Sequence, residues 1–386
     1  MHFGFTKEQE DIRKAAASFA EGEFDPDRAA EWDKAYQFPL DIWQKACGLG
    51  FVGVHLPEKL GGQGLGYLED ALIIETFCRK DSGIGLALAL SDLGAAIISC
   101  FGTEAQSRFY IPSICEGEMM PSLVYLENTP LKNPEMFQTT AMKAKDAFIL
   151  NGHKTFVYNI TTPGPMIIMC QVLTDTNSNM TWGFVFKKNL EELKYIESSH
   201  RVGMKMIPMG DLTFTDYKIS FSSLLHNGCN DPSPWELAIN EMNLKASAAG
   251  IGIAQGAFDM ALAYAHQRKQ FGRPIASFDA IQEKLIDMKT RVELSRLLTY
   301  KAAWEMDSKG SSTLSAAMAK KTAAETALCV TRDALHIFGG YGYIVDYRIE
   351  RFYRDASMID IIGLPCYMHE RLLSDAIVGD VALEKT

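Results

Sequence analysis

Long apolar runs are missing from this 386-residue chain. None reaches the roughly 20 residues that a helix needs to cross a bilayer. Blocks of like charge are missing too. The formal net charge of −10 is spread along the sequence without an acidic tail or a basic stretch, which argues against nucleic acid and anionic membrane as partners and for a small molecule. The eight cysteines, at 47, 78, 100, 115, 170, 229, 329 and 366, form no CxxC pair and no Cys/His metal spacing. They lie mostly in apolar runs and read as buried thiols of a reducing cytoplasm. The start, MHFGFTKEQEDIRKAAASFAEG, has the pattern of a polar amphipathic helix, so neither export nor anchoring is expected. Internal repeats, low-complexity segments, a Walker loop and a GxSxG elbow are also absent.

What is present is enough apolar residue for a large core, in two or three domains. From 7 to about 118 the apolar spacing is helical, as in EQEDIRKAAASFA, LEDALIIETFCRK and SGIGLALALSDLGAAIISCFG. Around 121 the texture changes to short runs such as FILNGHKTFVYN, MIIMCQVL and DLTFTDYKI, separated by turn residues. After NGCNDPSP, which reads as a loop, three long amphipathic helical segments follow. The clusters GLGFVG and GGYGY do not fit a dinucleotide fingerprint, because FGGYGY follows a helix and has the composition of a C-cap.

FTKEQEDIR, FPLDIWQKACGLGFVGVHLPEKLGGQGLG, YAHQRKQFGRPIASFDAIQEKLIDM and IFGGYGYIVDYRIERFYRDA resemble the acyl-CoA dehydrogenases in sequence and order over nearly the whole chain. The resemblance implies a mainly α fold with a β middle domain: an N-terminal helical domain over 1–120, a central β-barrel or sandwich domain over 121–228 and a C-terminal four-helix bundle over 229–386. It also implies a cytoplasmic homotetramer with FAD between subunits, an acyl thioester of CoA or a carrier protein as substrate, and an electron-transferring flavoprotein as partner.

Carried over residue by residue, the resemblance places Arg268, Gln270 and Phe271 at the pyrophosphate and adenine half of FAD, where a guanidinium suits phosphate oxygens. Ile275, Phe278 and Ile281 match the adenine-side wall, and Gly339, Gly340 and Gly342 the loop that lets backbone approach the dinucleotide. Tyr125, Leu126, Phe156 and Tyr158 face the flavin in this reading, and His336 stands where the family has Gln. The chain departs from the pattern at LENTPLKN, residues 126 to 133, where Glu127 alone survives, and at Asn243, which replaces an Arg that touches CoA. A carrier-bound thioester therefore stays open.

The family's reaction needs a carboxylate to take the proton next to the thioester. Counting from Arg354-Asp355-Ala356, its usual position falls on Gly363, or on Ile362 with a one-residue shift, and both join Asn243 as expected substrate neighbours. Two carboxylates are candidates for the base. Asp92 has Leu88, Ala89, Ala95 and Ala96 as helical neighbours, so its carboxylate is expected on an apolar face with a raised pKa. The pattern then resembles cyclohex-1-ene-1-carboxyl-CoA dehydrogenase, in which an Asp of this helix drives a 1,4-elimination. The alternatives are Asp92 paired to a Lys or Arg, and Glu241 as an ordinary base, itself set against a surface Glu beside Asn240. A catalytically divergent thioester-binding relative or partner subunit also remains open.

Overall fold

The computed structural model describes residues 4–128, 137–173, 180–198, 200–225 and 234–378. The N-terminal part is helical throughout: α1 (Lys7–Glu23), α2 (Pro26–Ala35), α3 (Leu40–Gly48), α4 (Tyr67–Lys80), α5 (Ser82–Ala89), α6 (Ala95–Phe101) and α7 (Glu104–Cys115). Side-chain caps fix several starts. Thr6 and Gln9 form a capping box on α1, Thr103 and Gln106 another on α7, and the Asp81 carboxylate accepts from Ile84 N at the head of α5. The run from 82 to 102 is not one helix. It breaks into a turn after Ala89, and Gly94, at φ 88°, opens α6 in the left-handed region.

The middle part is a sheet of β1 (Ser122–Val124), β2 (Thr140–Lys143), β3 (Phe148–Tyr158), β4 (Pro165–Leu173), β5 (Met180–Lys187), β6 (Lys194–Glu197) and β7 (Met209–Ile219). Its order is β1-β4-β2-β3-β7-β6, with β5 along the other edge of β4; β1 and β2 run parallel to β4 and every other pair is antiparallel. In β4, Met166, Ile168, Cys170 and Val172 enter the core of the β part while Ile167 and Met169 join the helical core. Both faces are covered, so MIIMCQVL reads as a continuous apolar run instead of an alternating one.

The C-terminal part packs α8 (Pro234–Gln267), α9 (Asp279–Lys309), α10 (Thr313–Phe338), α11 (Ile349–Ile359) and α12 (Cys366–Val378), with a small hairpin of β8 (Lys269–Gln270) and β9 (Arg273–Pro274) between α8 and α9. Helix α8 is buried along most of its length against α4 and α10. Gly252 and Gly256, one turn apart, make the approach to α4 possible: a Cβ on either would stand 2.4 or 2.3 Å from a carbonyl oxygen of Glu75 or Arg79. The boundary expected at NGCNDPSP lies largely outside the described residues. Among them, no helix is long and apolar enough to cross a membrane and no three His, Cys, Asp or Glu residues are grouped to hold a metal.

Candidate active site

Two separate groups contain the expected cofactor neighbours. The first lies at the sheet. Lys154, fully buried in β3, pairs with Glu127 at 2.8 Å and donates to the carbonyls of Tyr125 and Met169, so the surviving Glu127 is a structural partner. Burial pulls the Lys154 pKa down to about 8 against the attraction of Glu127. Past it the β3–β7 pairing slips, and Phe156 takes a φ of 51°, unusual for a bulky residue, with its ring partly exposed. Tyr158 is buried, and its hydroxyl has no partner among the described residues. Thr155 N donates to the Leu126 carbonyl, and the Tyr125 hydroxyl donates to the Gly363 carbonyl at 2.6 Å. Residues 129–133 of LENTPLKN lie outside the described residues.

The second group surrounds the hairpin. Phe271, again left-handed at φ 51°, forms its tip and is 93% exposed. A cavity of about 470 Å³ is lined by Arg268, Gln270, Ile275, Gly339, Gly340 and Tyr341 among others. No atom lies within 4 Å of a Cβ built on Gly339 or Gly340, so the backbone at this end of α10 is open to a ligand. The Arg268 guanidinium stands 5.3 Å from the Tyr341 ring centre, Arg273 covers Phe278, and Ile281 lies in the first turn of α9, its N–H donating to the Phe278 carbonyl. His336 is exposed beside Asp333. An open glycine edge, a guanidinium and a strained exposed aromatic suit a dinucleotide phosphate and its adenine.

Where the resemblance puts the base, the chain makes a tight turn after α11. Lys320 Nζ donates to the carbonyls of Asp360 and Leu364 at 2.6 Å each and holds the turn against α10. Ile362 is fully buried. Gly363 has φ 77°, and a Cβ there would stand 3.1 Å from Asn243 Oδ1 and 3.4 Å from Met242 Cβ. Asn243 is fully buried, with no hydrogen-bond partner for either amide atom among the described residues. His369 is a buried residue of α12, where burial and Lys320 hold its pKa down to about 3.

Both candidate bases fall in one buried polar cluster between the N-terminal helices and α8. Asp92 departs from its expected setting. It lies on the turn between α5 and α6, not on a helix, so the spacing that put it on an apolar face does not apply. Its Oδ1 is 3.0 Å from Lys245 Nζ and its Oδ2 accepts from Gly53 N at 3.0 Å. Burial alone would raise its pKa; Lys245 and His55 outweigh that and lower it. Lys245 also pairs with Asp70 at 2.9 Å. Glu241 departs from its surface alternative. It is fully buried, its two oxygens have no hydrogen-bond donor among the described residues, and its nearest cationic neighbour is His55, 3.6 Å away.

His55, Asp70 and Lys245 were missed by sequence reasoning. The available signal was Glu241 and Lys245 one turn apart on an otherwise apolar helix, where two charged groups on one buried face imply further partners. Neither Asp70 nor His55 carries a local pattern of its own.

Residues 6–118 match the family pattern of the acyl-CoA dehydrogenase N-terminal domain, and residues 235–363 that of the C-terminal domain. The 3-(aryl)acrylate reductase of Clostridium sporogenes is 36% identical over 92% of this chain and 95% of its own length. The caffeyl-CoA reductase-Etf complex subunit CarC of Acetobacterium woodii is 31% identical over 97% of this chain and 99% of its own. Among solved structures, butyryl-CoA dehydrogenase from Megasphaera elsdenii superposes with a TM-score of 0.89 at 28% identity, covering 98% of this chain and all of that one.

Proposed function

This chain belongs to the acyl-CoA dehydrogenase family, and from that premise we propose that it interconverts an acyl thioester and its 2-enoyl counterpart, with Glu241 handling the α-proton. It is a flavin oxidoreductase acting on CH–CH groups, and its cofactor is FAD. The residues around the hairpin suit that cofactor: the open edge at Gly339 and Gly340 beside Arg268 and Gln270 would hold the pyrophosphate, and the partly exposed Phe156 would meet the ring system, while Tyr125, Leu126 and Tyr158 are buried. Bound FAD supplies the acceptor or donor for the hydride of the β-carbon.

The observation that carries the reading is the state of Glu241. A fully buried carboxylate with no hydrogen-bond donor is costly to keep unless it is used. It precedes Met242 and Asn243, which abut Gly363, the position where the resemblance expects the missing carboxylate. In oxidation Glu241 would take the α-proton while the C–H electron pair enters the new double bond; in reduction it would return that proton. The unpartnered amide of Asn243 is free to bind the polar part of the thioester, with Ile362 and Gly363 closing that side.

Asp92 belongs to the same cluster and is the second reading, a base displaced along a conjugated acyl chain. Its ion pair with Lys245 and its lowered pKa count against it as a proton acceptor. A homotetramer, a cytoplasmic address and electron exchange with an electron-transferring flavoprotein complete the proposal; the printed name of the Acetobacterium woodii relative places that protein in an Etf complex. Anaerobic mixing with a saturated or 2-enoyl thioester tests it. Wild type and Asp92→Asn should change the visible flavin spectrum, and Glu241→Gln should not. A colourless wild type that takes up no FAD would overturn the flavin assignment, and loss in Asp92→Asn alone would move the base to Asp92.

A further inference from the structure

His55 has no role in the reading so far, yet its side chain is 2% exposed and stands in the middle of the polar cluster. Its Nε2 is 3.6 Å from Glu241 Oε1 and its Nδ1 is 3.8 Å from Asp70 Oδ2. Neither ring nitrogen has a hydrogen-bond partner among the described residues. The ring lies almost flat on Tyr67, with centres 4.5 Å apart and planes 23° from parallel, so stacking fixes its plane while the two carboxylates sit at its two nitrogens. That arrangement leaves the imidazole little freedom except small shifts along the Glu241–Asp70 line.

The carboxylates around it outnumber the cations, and more so without its charge. Asp70, Asp92 and Glu241 bring three buried carboxylates to the cluster, and Lys245, bonded to the first two, is the fixed cation. Lys245 therefore offsets one of the two charges at the Asp70–Asp92 end, and Glu241 has His55 as its nearest cationic group. Tyr67 and Asp307, from α4 and α9, and Cys100, from α6, also lie within electrostatic reach of this end. An isolated buried carboxylate is strongly disfavoured.

We infer that His55 is the positioning residue for Glu241: clamped by the Tyr67 ring and by Asp70, it holds the Glu241 carboxylate in place and compensates its charge in a site that excludes water. The inference rests on the proposed role of Glu241. Burial works against the imidazolium, but Glu241 and Asp70 outweigh both burial and Lys245, and the His55 pKa is raised above its ordinary value. The imidazolium is therefore present below that raised pKa and is lost as pH rises through it. Oxidation, which needs the Glu241 carboxylate, should lose rate along that limb.

The test uses the flavin-loaded enzyme. His55→Gln keeps an amide donor without the charge, and His55→Phe keeps the stack on Tyr67 without either. Both should bind flavin, lower the oxidation kcat by about tenfold to a hundredfold with a smaller change in KM, and lack the limb. Asp70→Asn should move the limb to lower pH. In the wild-type holoenzyme the ring-nitrogen NMR signal of labelled His55 should titrate above the ordinary histidine value, and in Glu241→Gln it should titrate lower. If His55→Gln keeps both the rate and the pH limb of wild type, the inference is overturned. So it is if the His55 signal ignores Glu241→Gln. Unimpaired turnover in Glu241→Gln, by contrast, overturns the assignment of the base and leaves the His55 titration as an independent readout.

Discussion

Asp92 and Glu241 stand in one cluster and are equally shielded from water, but the structure treats them differently. Asp92 is paired: Lys245 Nζ stands 3.0 Å from one oxygen and the Gly53 N–H donates to the other. Among the described residues Glu241 accepts no hydrogen bond, and its nearest cationic neighbour, His55, stands 3.6 Å away. Burial is thus not what sets the two carboxylates apart. The separation comes from whether the groups around it have already stabilised its charge, because each donor spent on the carboxylate lowers its affinity for a proton. The Glu127–Lys154 pair at the sheet repeats the Asp92 case: two backbone N–H groups and an ammonium satisfy the carboxylate, and its pKa is lowered.

The largest effect that would break this comparison is on turnover. Glu241→Gln should lower the rate of flavin reduction by a thioester by about 10²- to 10⁴-fold, the usual worth of a positioned acid–base group. Asp92→Asn should stay within about tenfold of wild type and lose stability instead. Rapid-mixing absorbance with both variants decides which carboxylate handles the proton. Next in size is the effect on the paired end. Lys245→Met leaves Asp70 and Asp92 without their cation and should cost about 3–5 kcal/mol, read as a lower urea midpoint of the holoenzyme. A change below about 1 kcal/mol would mean that the two carboxylates are not held as anions.

The difference between the two acids could not have been read from the chain. The helical and β textures, and the change between them near 121, are visible because apolar spacing follows the local backbone period. The β8–β9 hairpin is less visible, since Phe271 occupies a left-handed tip that sequence patterns reserve for glycine or asparagine. Asp92 is misplaced because the apolar run from 82 to 102 hides a turn, for which Ser91, Asp92 and Gly94 are the local signs. Its partner lies 153 residues further on, and such pairings depend on how helices dock, with no trace in local spacing. The burial of Glu241 was missed for a related reason: charged residues are mostly exposed, and the exception needs three-dimensional neighbours to declare itself.

Restoring a carboxylate at its expected position sharpens the comparison. Gly363→Glu would force a side chain into a left-handed backbone position against Asn243 and Met242. It should destabilise the protein by about 2 kcal/mol, measured by the urea midpoint, and should not rescue turnover in Glu241→Gln. Recovery of flavin reduction in that double variant would show that the turn opens enough to carry a base after all.

The smallest effect concerns another buried carboxylate, Asp355, which accepts from the Ser82 hydroxyl at 2.6 Å and from Met204 N at 2.8 Å. Burial pushes its pKa up to about 6, against the pull of those two hydrogen bonds. The sign of the linkage follows. Below the ordinary Asp value both folded and unfolded chains hold the proton, and between that value and about 6 only the folded chain does, so the stability contribution falls as pH rises through this window. Asp355→Asn keeps an acceptor for Met204 N and a group that can pair with the Ser82 hydroxyl, but it cannot ionise. Its Tm relative to wild type should therefore climb from pH 4 to about pH 6 and then level. A difference that stays flat across that range would mean that neutral hydrogen-bond donors stabilise Asp355 as well as Lys245 stabilises Asp92, and that a fixed cation is not required to hold a buried carboxylate ionised in this fold.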